Sequence, residues 1–181
     1  DFDALPTITV PITTLMDCEQ IAHGVYSPLT GFMGSEATQS VLNELKLPSG
    51  DSWSMPILLA LDPAVANSLE KGARIKLAHP NGEAHAVMEV EEIFTLDLDE
   101  TAQKWFGTSD QAHPGVAQIK AEGNTFIAGP VTLTKRLSSE FQHYALLPEQ
   151  SRFVFDHQGW SRIVGFHGRN PAHRAHTFIQ I

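Results

Sequence analysis

The sequence lacks most of the features that mark secreted or membrane-spanning proteins. It has one cysteine, Cys18, so no disulfide can form within the chain. This fits a reducing compartment, and we expect a cytoplasmic protein. The longest apolar run, Met55 to Leu61, is far shorter than the roughly 20 residues that a membrane-spanning helix needs. No charged-then-apolar signal peptide opens the chain, which begins at Asp1. We therefore expect no membrane association.

Positive charge is also scarce. Twelve Lys and Arg stand against 21 Asp and Glu, which gives a net charge of −9. Such a surface repels phosphate backbones, so we expect no nucleic-acid partner. The acidic residues concentrate between Met88 and Glu100, whereas Arg152, Arg162, Arg169 and Arg174 fall in the last thirty residues. An anion site is therefore expected near the C-terminal end of the chain.

The first 137 residues contain short runs rich in β-branched residues, separated by turn formers. Strands are expected between Trp53 and Thr134, and Asn81-Gly82 predicts a type I′ hairpin turn. Asp17 is expected to cap the first helix. The sequence therefore predicts a β-rich barrel-like domain over residues 1–137. Its helices are expected near residues 17–24, 35–46 and 99–106.

The remaining residues, 138–181, have a different character. Two short helices are expected, at 138–145 and 148–152, followed by a compact apolar strand at 162–166. A closing helix is predicted over 171–181, with Asn170 as its cap and Pro171 as its first residue. The pattern is a strand–loop–helix unit.

The start of the closing helix contains several groups that bind anions. A helix N-terminus offers free N–H groups and a partial positive charge. Arg169 precedes the predicted cap, while His173 and His176 are spaced to share one helix face. Together these groups predict a pocket for polyanions. A solvated H-x-x-H pair is the alternative, as is a zinc site formed by His167, His173 and His176, although no cysteine or carboxylate lies nearby.

The closing motif resembles the Q-T-R-N-P-x-H-R-A-H signature of the ATP sulfurylase (sulfate adenylyltransferase) family. The motif from Arg169 to His176 fits it, while His167 and Gly168 replace the usual Gln and Thr, and Thr177 stands where an acid is common. The segments "GVYSPLTGFM", "FGTSDQAHPGV" and "AGPVTL" are similar to the family's N-terminal domain. The resemblance implies a mixed α/β chain. A PUA-like barrel domain, 1–137, would precede the first strand–loop–helix unit of a Rossmann-like nucleotidyl transferase domain, truncated at 138–181.

The resemblance also implies an activity, the transfer of AMP from ATP to sulfate to give adenylyl sulfate and pyrophosphate in sulfate assimilation. Arg169, Asn170, His173 and His176 would be catalytic, and the same residues with His167 would bind ATP and sulfate. Mg²⁺ would accompany ATP, without a protein ligand identified in this chain. We expect the 181-residue fragment to be inactive by itself, and a homo-oligomer is among the states the sequence allows. The alternative is a PUA-like binding or subunit-packing module without catalysis.

Overall fold

The chain divides into two units, Asp1–Gln142 and His143–Ile181, in a computed structural model that describes residues 2–166, 168 and 173–180. The first unit holds a seven-stranded sheet and five α-helices. Among the described residues, no helix is both long and apolar enough to cross a membrane.

The sheet of the first unit is organised around its last strand, β7. The first half of β7 pairs with β3 and β6, and its second half pairs with β5 and β2. Beyond β5, the order continues through β4 to β1. Because the bent strand β7 pairs with both groups of strands, the sheet curls into a half-barrel. The sequence predicted a barrel-like domain here, and the observed sheet is this half-barrel. The strands are β1 Thr7–Thr9, β2 Gly31–Phe32, β3 Leu59–Ala60, β4 Arg74–Ala78, β5 Ala84–Glu89, β6 Glu92–Thr95 and β7 Thr125–Leu133.

The bend in β7 occurs at Gly129, where φ is +148°. A Cβ added there would lie well inside van der Waals contact of the Glu89 carbonyl oxygen. Gly31 of β2, the strand that pairs with β7 at this bend, is equally close to the backbone, since a Cβ on it would lie 2.7 Å from Cα of Pro130. Two glycines therefore allow three strands to approach closely where the sheet changes direction.

The core lies inside the curl and is closed by α1. Leu15, Cys18 and Ile21 of this helix are buried at three-residue spacing, as one helix face requires. They join a cluster that includes Ile75 and Leu77 of β4, both fully buried. Removal of this apolar surface from water is the main stabilising contribution to the fold.

The helices of the first unit agree with the sequence prediction in two cases. The second helix starts at Ser35, as expected, and the fourth is capped by Asp97, whose side chain accepts from the amides of Asp99 and Glu100. Gly107 ends the fourth helix in a left-handed conformation. The five helices are α1 Ile12–Ala22, α2 Ser35–Glu44, α3 Pro63–Ala66, α4 Leu98–Phe106 and α5 Pro114–Glu122.

The prediction for the first helix was wrong at its start. The helix α1 begins at Ile12, directly after Pro11, so Asp17 lies within the helix instead of capping it. The β-branched residues Ile12, Thr13 and Thr14 favoured an extended lead-in. Burial of the Leu15 face outweighs that preference, because tertiary packing contributes more than intrinsic propensity.

The hairpin turn between β4 and β5 also differs from its prediction. The amide of Gly82 donates to the His79 carbonyl at 2.8 Å, and Gly82 alone in the turn has positive φ, at +89°. A type I′ turn requires positive φ at both central residues. In the observed turn, which runs from His79 to Gly82, the two central residues are Pro80 and Asn81, and the ring of Pro80 locks its φ at a negative value. The result is a three-residue loop that fits a type I turn followed by a left-handed glycine.

The described residues of the second unit form two α-helices, α6 Pro148–His157 and α7 Arg174–Gln180. The first of these starts where predicted and is longer. The predicted helix at 138–145 is reduced to a 3₁₀ turn, Gln142–Tyr144. The strand predicted at 162–166 is absent, and Val164 is 92% exposed. A strand needs a partner for its backbone groups, and the described residues of this unit offer none.

Candidate functional site

The candidate site lies at the start of α7. Of its five predicted residues, His173 and His176 belong to the described part of the chain, while His167, Arg169 and Asn170 lie outside the described residues. The helix begins at Arg174, three residues later than predicted. His173 therefore directly precedes the helix, and His176 lies in its first turn.

The two histidines form a reciprocal cap at this helix start. The Nδ1 atom of His173 accepts from the amide of Ala175 at 3.3 Å. In return, Nδ1 of His176 accepts from the amide of His173 at 3.2 Å. The His173 carbonyl receives the amide of Thr177 at 3.1 Å, which is the first helical hydrogen bond. The H-x-x-H spacing thus repeats the logic of a capping box, with imidazoles in place of a hydroxyl and a carboxylate.

This cap determines which ring nitrogens are free. A nitrogen that accepts an N–H must be unprotonated, so in its neutral form each ring carries its proton on Nε2. The ring centroids lie 4.0 Å apart, and the His176 ring meets Phe166 edge-on at 5.8 Å. His173 is exposed. Two Nε2–H donors on neighbouring rings are therefore left for an external acceptor such as a phosphate oxygen.

The charge around the cap is positive or neutral. Arg174 opens the helix and is exposed, and the sequence contains no Asp or Glu after Asp156. Across the described residues, no group of three or more His, Cys, Asp and Glu side chains is placed to hold a metal ion. The described donors of this segment suit an anion.

The first unit contains titratable groups whose environment does not favour catalysis. Burial raises the pKa of the Cys18 thiol to about 12, which keeps it protonated and unreactive at neutral pH. Burial also raises the pKa of Asp17, although the hydroxyl of Tyr26 donates to its carboxylate at 3.2 Å. Both side chains lie on the core-closing helix α1, so their role is structural.

The segment "SPLTGFM" lines an open cleft of about 360 Å³ in the first unit. Phe32 and Met33 belong to the core cluster and are each 3% exposed, so this end of the segment has a packing role. The next residues begin α2, and Ser35 donates to Glu92 of β6 through both its amide, at 3.0 Å, and its hydroxyl. The cleft therefore lies in a packed scaffold, and its walls carry no buried charged group among the described residues.

Two of these capping contacts were not predicted from the sequence. Glu92 of β6 caps α2 by accepting the amide of Ser35. The two residues are 57 positions apart in sequence, so no local signal could have indicated this contact. The reciprocal histidine cap did have a local signal, since His173 and His176 show the three-residue spacing of a capping box. The predicted cap, Asn170, lies outside the described residues.

Comparison with known proteins agrees with this architecture. Residues 1–136 match the family described as PUA-like domain, and residues 142–181 match the family described as ATP-sulfurylase. A sulfate adenylyltransferase of Symbiobacterium thermophilum is 42% identical over 176 residues, covering 97% of this chain and 45% of the relative. One of Synechococcus sp. is 45% identical over 165 residues, covering 91% and 42%. The resemblance to ATP sulfurylase is confirmed.

A solved structure shares the fold at lower sequence similarity. The hexameric APS kinase from Thiobacillus denitrificans superposes with a TM-score of 0.74 at 22% identity, over 98% of this chain and 31% of that one. At this identity the likeness concerns the fold alone. The chain spans less than half the length of the curated relatives described above.

Proposed function

The chain belongs to the PUA-like domain family over residues 1–136, and from this membership and its relatives we propose that it is the N-terminal part of a sulfate adenylyltransferase. The whole protein would transfer AMP from ATP to sulfate and release pyrophosphate. The observation that carries the proposal is the identity to proteins of that name, which extends through both units. A cytoplasmic location is part of the proposal, and the single, buried Cys18, which has no partner for an intrachain disulfide, supports it.

The reaction makes particular demands on the site. A sulfate oxygen attacks the α-phosphorus of ATP, and the bond from that phosphorus to the β-phosphate oxygen breaks. Both reactants are anions, so the enzyme must hold them together and spread the developing negative charge. Sulfate carries no proton at neutral pH, so no carboxylate base is needed. A segment with free imidazole donors and no acid after Asp156 fits these demands.

The proposed roles follow from the side chains. The Nε2–H groups of His173 and His176 would donate to phosphate oxygens from the start of α7. Arg169 would grip a tetrahedral oxyanion with two parallel hydrogen bonds. Asn170 is included because it belongs to the family's motif, and His167 would stand where the family has a glutamine that helps to hold sulfate.

Residues 138–181 would be the start of a Rossmann-like nucleotidyl transferase domain. The match of residues 142–181 to the family described as ATP-sulfurylase supports this. The apolar side chains of Phe178 and Ile179 in α7 are 86% and 70% exposed. The rest of the sheet would cover them. The fragment alone would then lack most of the nucleotide site and be inactive.

Mg²⁺ would enter with ATP, held by phosphates and water. The described part of the closing segment does not fit a protein-held site for this ion, because Mg²⁺ prefers oxygen ligands and the segment offers imidazole and guanidinium groups. We therefore assign no residue of this chain to the ion. Association of the whole protein into a homo-oligomer is part of the same proposal.

The test uses this chain extended by the C-terminal portion that its relatives carry. We expect pyrophosphate release that requires both ATP and sulfate, and none from the 181-residue chain alone. His173→Asn keeps a strong helix cap but removes the imidazole, and should lower kcat by roughly 10²-fold. His157→Asn, at the exposed end of α6, is the matched control and should change little. Sulfate-independent release, or equal effects of both variants, would contradict the proposal.

A further inference from the structure

The backbone that leaves β7 is held closely by β5. The amides of Thr134 and Lys135 both donate to the carbonyl of His85, at 2.8 and 3.1 Å. The His85 ring is buried, with the residue only 4% exposed, and its Nδ1 donates to the Lys135 carbonyl at 3.1 Å. One residue of β5 therefore binds three backbone groups of the departing chain, which continues the sheet pairing past the end of the strand.

Two carboxylates extend this attachment. Glu83 pairs with the ammonium of Lys135 and lies 3.5 Å from Nε2 of His85. Glu19, from α1, accepts the amide of Leu137, 118 residues away in sequence. The Leu137 side chain is half-buried against the core cluster. The chain is thus bound from two different elements until Leu137.

The residues that follow are held differently. The amide of Gln142 donates to the Ser139 carbonyl at 3.2 Å, and the amide of Phe141 donates to the Ser139 hydroxyl at 3.2 Å. These are local turn contacts. Phe141 is 68% exposed. Long-range hydrogen bonding therefore ends abruptly between Leu137 and Ser138.

We propose that Glu19, Glu83 and His85 form an exit anchor, which fixes the path of the chain through Leu137 and places the hinge at residues 138–142, the last residues of the first unit. Glu19 is the decisive positioning residue, because among the described side chains it is the one that hydrogen-bonds the departing chain to α1 and not to the sheet. The anchor is independent of the proposed activity.

Limited proteolysis of the full 181-residue chain tests the anchor. In the wild type, chymotrypsin should cut after Phe141 much faster than trypsin cuts between Arg136 and Leu137. Glu19→Ala removes a charged acceptor, so the rate of the Arg136–Leu137 cut should rise at least about tenfold. Glu44→Ala is the control, a helical and exposed glutamate of α2, and should leave this rate unchanged. An unchanged rate in Glu19→Ala would overturn the proposal.

Cleavage after the exposed Lys71, far from the anchor in sequence, separates local release from global unfolding. If Glu19→Ala accelerates the cuts at Arg136–Leu137 and after Lys71 equally, the variant has unfolded as a whole. Amide exchange in the wild type then tests the anchor. The Leu137 amide should then exchange at least about tenfold more slowly than the amide of Glu140, once both rates are corrected for intrinsic exchange. Equal protection at the two positions would place the hinge elsewhere and overturn the anchor.

Discussion

Replacing Gly129 by alanine tests the central feature of the fold, the bend of β7. At φ +148°, any residue with a Cβ is strained. The new methyl would also overlap the Glu89 carbonyl oxygen and lie 3.1 Å from the amide nitrogen of Glu91. Because all of these are backbone atoms, no side chain can rotate away to relieve the overlap. The strand itself must move.

The magnitude follows from these contacts. Backbone strain at such a φ costs on the order of 1–3 kcal/mol. Moving β7 away from Glu89 also weakens its pairing with β5, which begins at Met88–Val131, and each hydrogen bond lost costs roughly 1 kcal/mol. We expect Gly129→Ala to lower the free energy of unfolding by about 4 kcal/mol. For a unit of this size that corresponds to a decrease in Tm of roughly 10 °C or more.

Two matched substitutions separate strain from overlap. Gly50→Ala places a methyl at φ +94° with nothing within 4 Å, so it should cost only about 1 kcal/mol. Gly31→Ala overlaps the backbone at Gly129 and Pro130 without a left-handed φ, and should be strongly destabilising. Urea unfolding followed by circular dichroism measures all three variants. If Gly129→Ala proves no more destabilising than Gly50→Ala, the close approach of β7 and β5 is not what constrains this position.

Three further predictions concern single side chains. With a thiol pKa of about 12, Cys18 should resist iodoacetamide at pH 7.5 in the native state and react fully in urea; rapid native labelling would contradict its burial. Leu45 ends α2 in a left-handed conformation, at φ 54°, and is 61% exposed, so Leu45→Gly should stabilise by about 0.5–1 kcal/mol in thermal unfolding; destabilisation would show that its side chain packs. Asp17→Asn should stabilise at pH 7, because burial raises the pKa of Asp17 and so penalises its ionised form. That gain should shrink as the pH falls through the raised pKa and vanish below 3.8, the unfolded value, where the wild-type carboxyl is protonated in both states; a gain that persists at pH 3 would contradict this cause.

The features that could be predicted from sequence are those whose signals are local. The fourth helix shows this well, since Asp97 and Gly107 bracket an amphipathic run and both perform the capping roles that their types favour. The β-rich character of residues 53–134 follows similarly from short runs of β-branched residues between turn formers. In the closing segment, the rings of His173 and His176 lie 4.0 Å apart, although His173 precedes the helix and does not share its face with His176 as the spacing predicted.

The predictions that failed concerned elements whose state depends on distant residues. The helix α1 starts at Ile12 because Leu15, Cys18 and Ile21 are covered by the sheet, which no local pattern at residues 12–16 reveals. The apolar run at 162–166 has strand composition but no partner within the described part of its unit, so it stays unpaired.

The sequence by itself determined the family resemblance and the helices with their own caps, because each depends on residues within a few positions of one another. Tertiary structure alone decided the bend of β7 against Glu89, the cap that Glu92 supplies to α2 and the contact of Glu19 with Leu137. These contacts join residues between 40 and 118 positions apart. The physical reason is that such contacts close long loops, which costs conformational entropy. They form only when the rest of the fold brings the two residues together, so no single segment of the sequence shows a periodic pattern that predicts them.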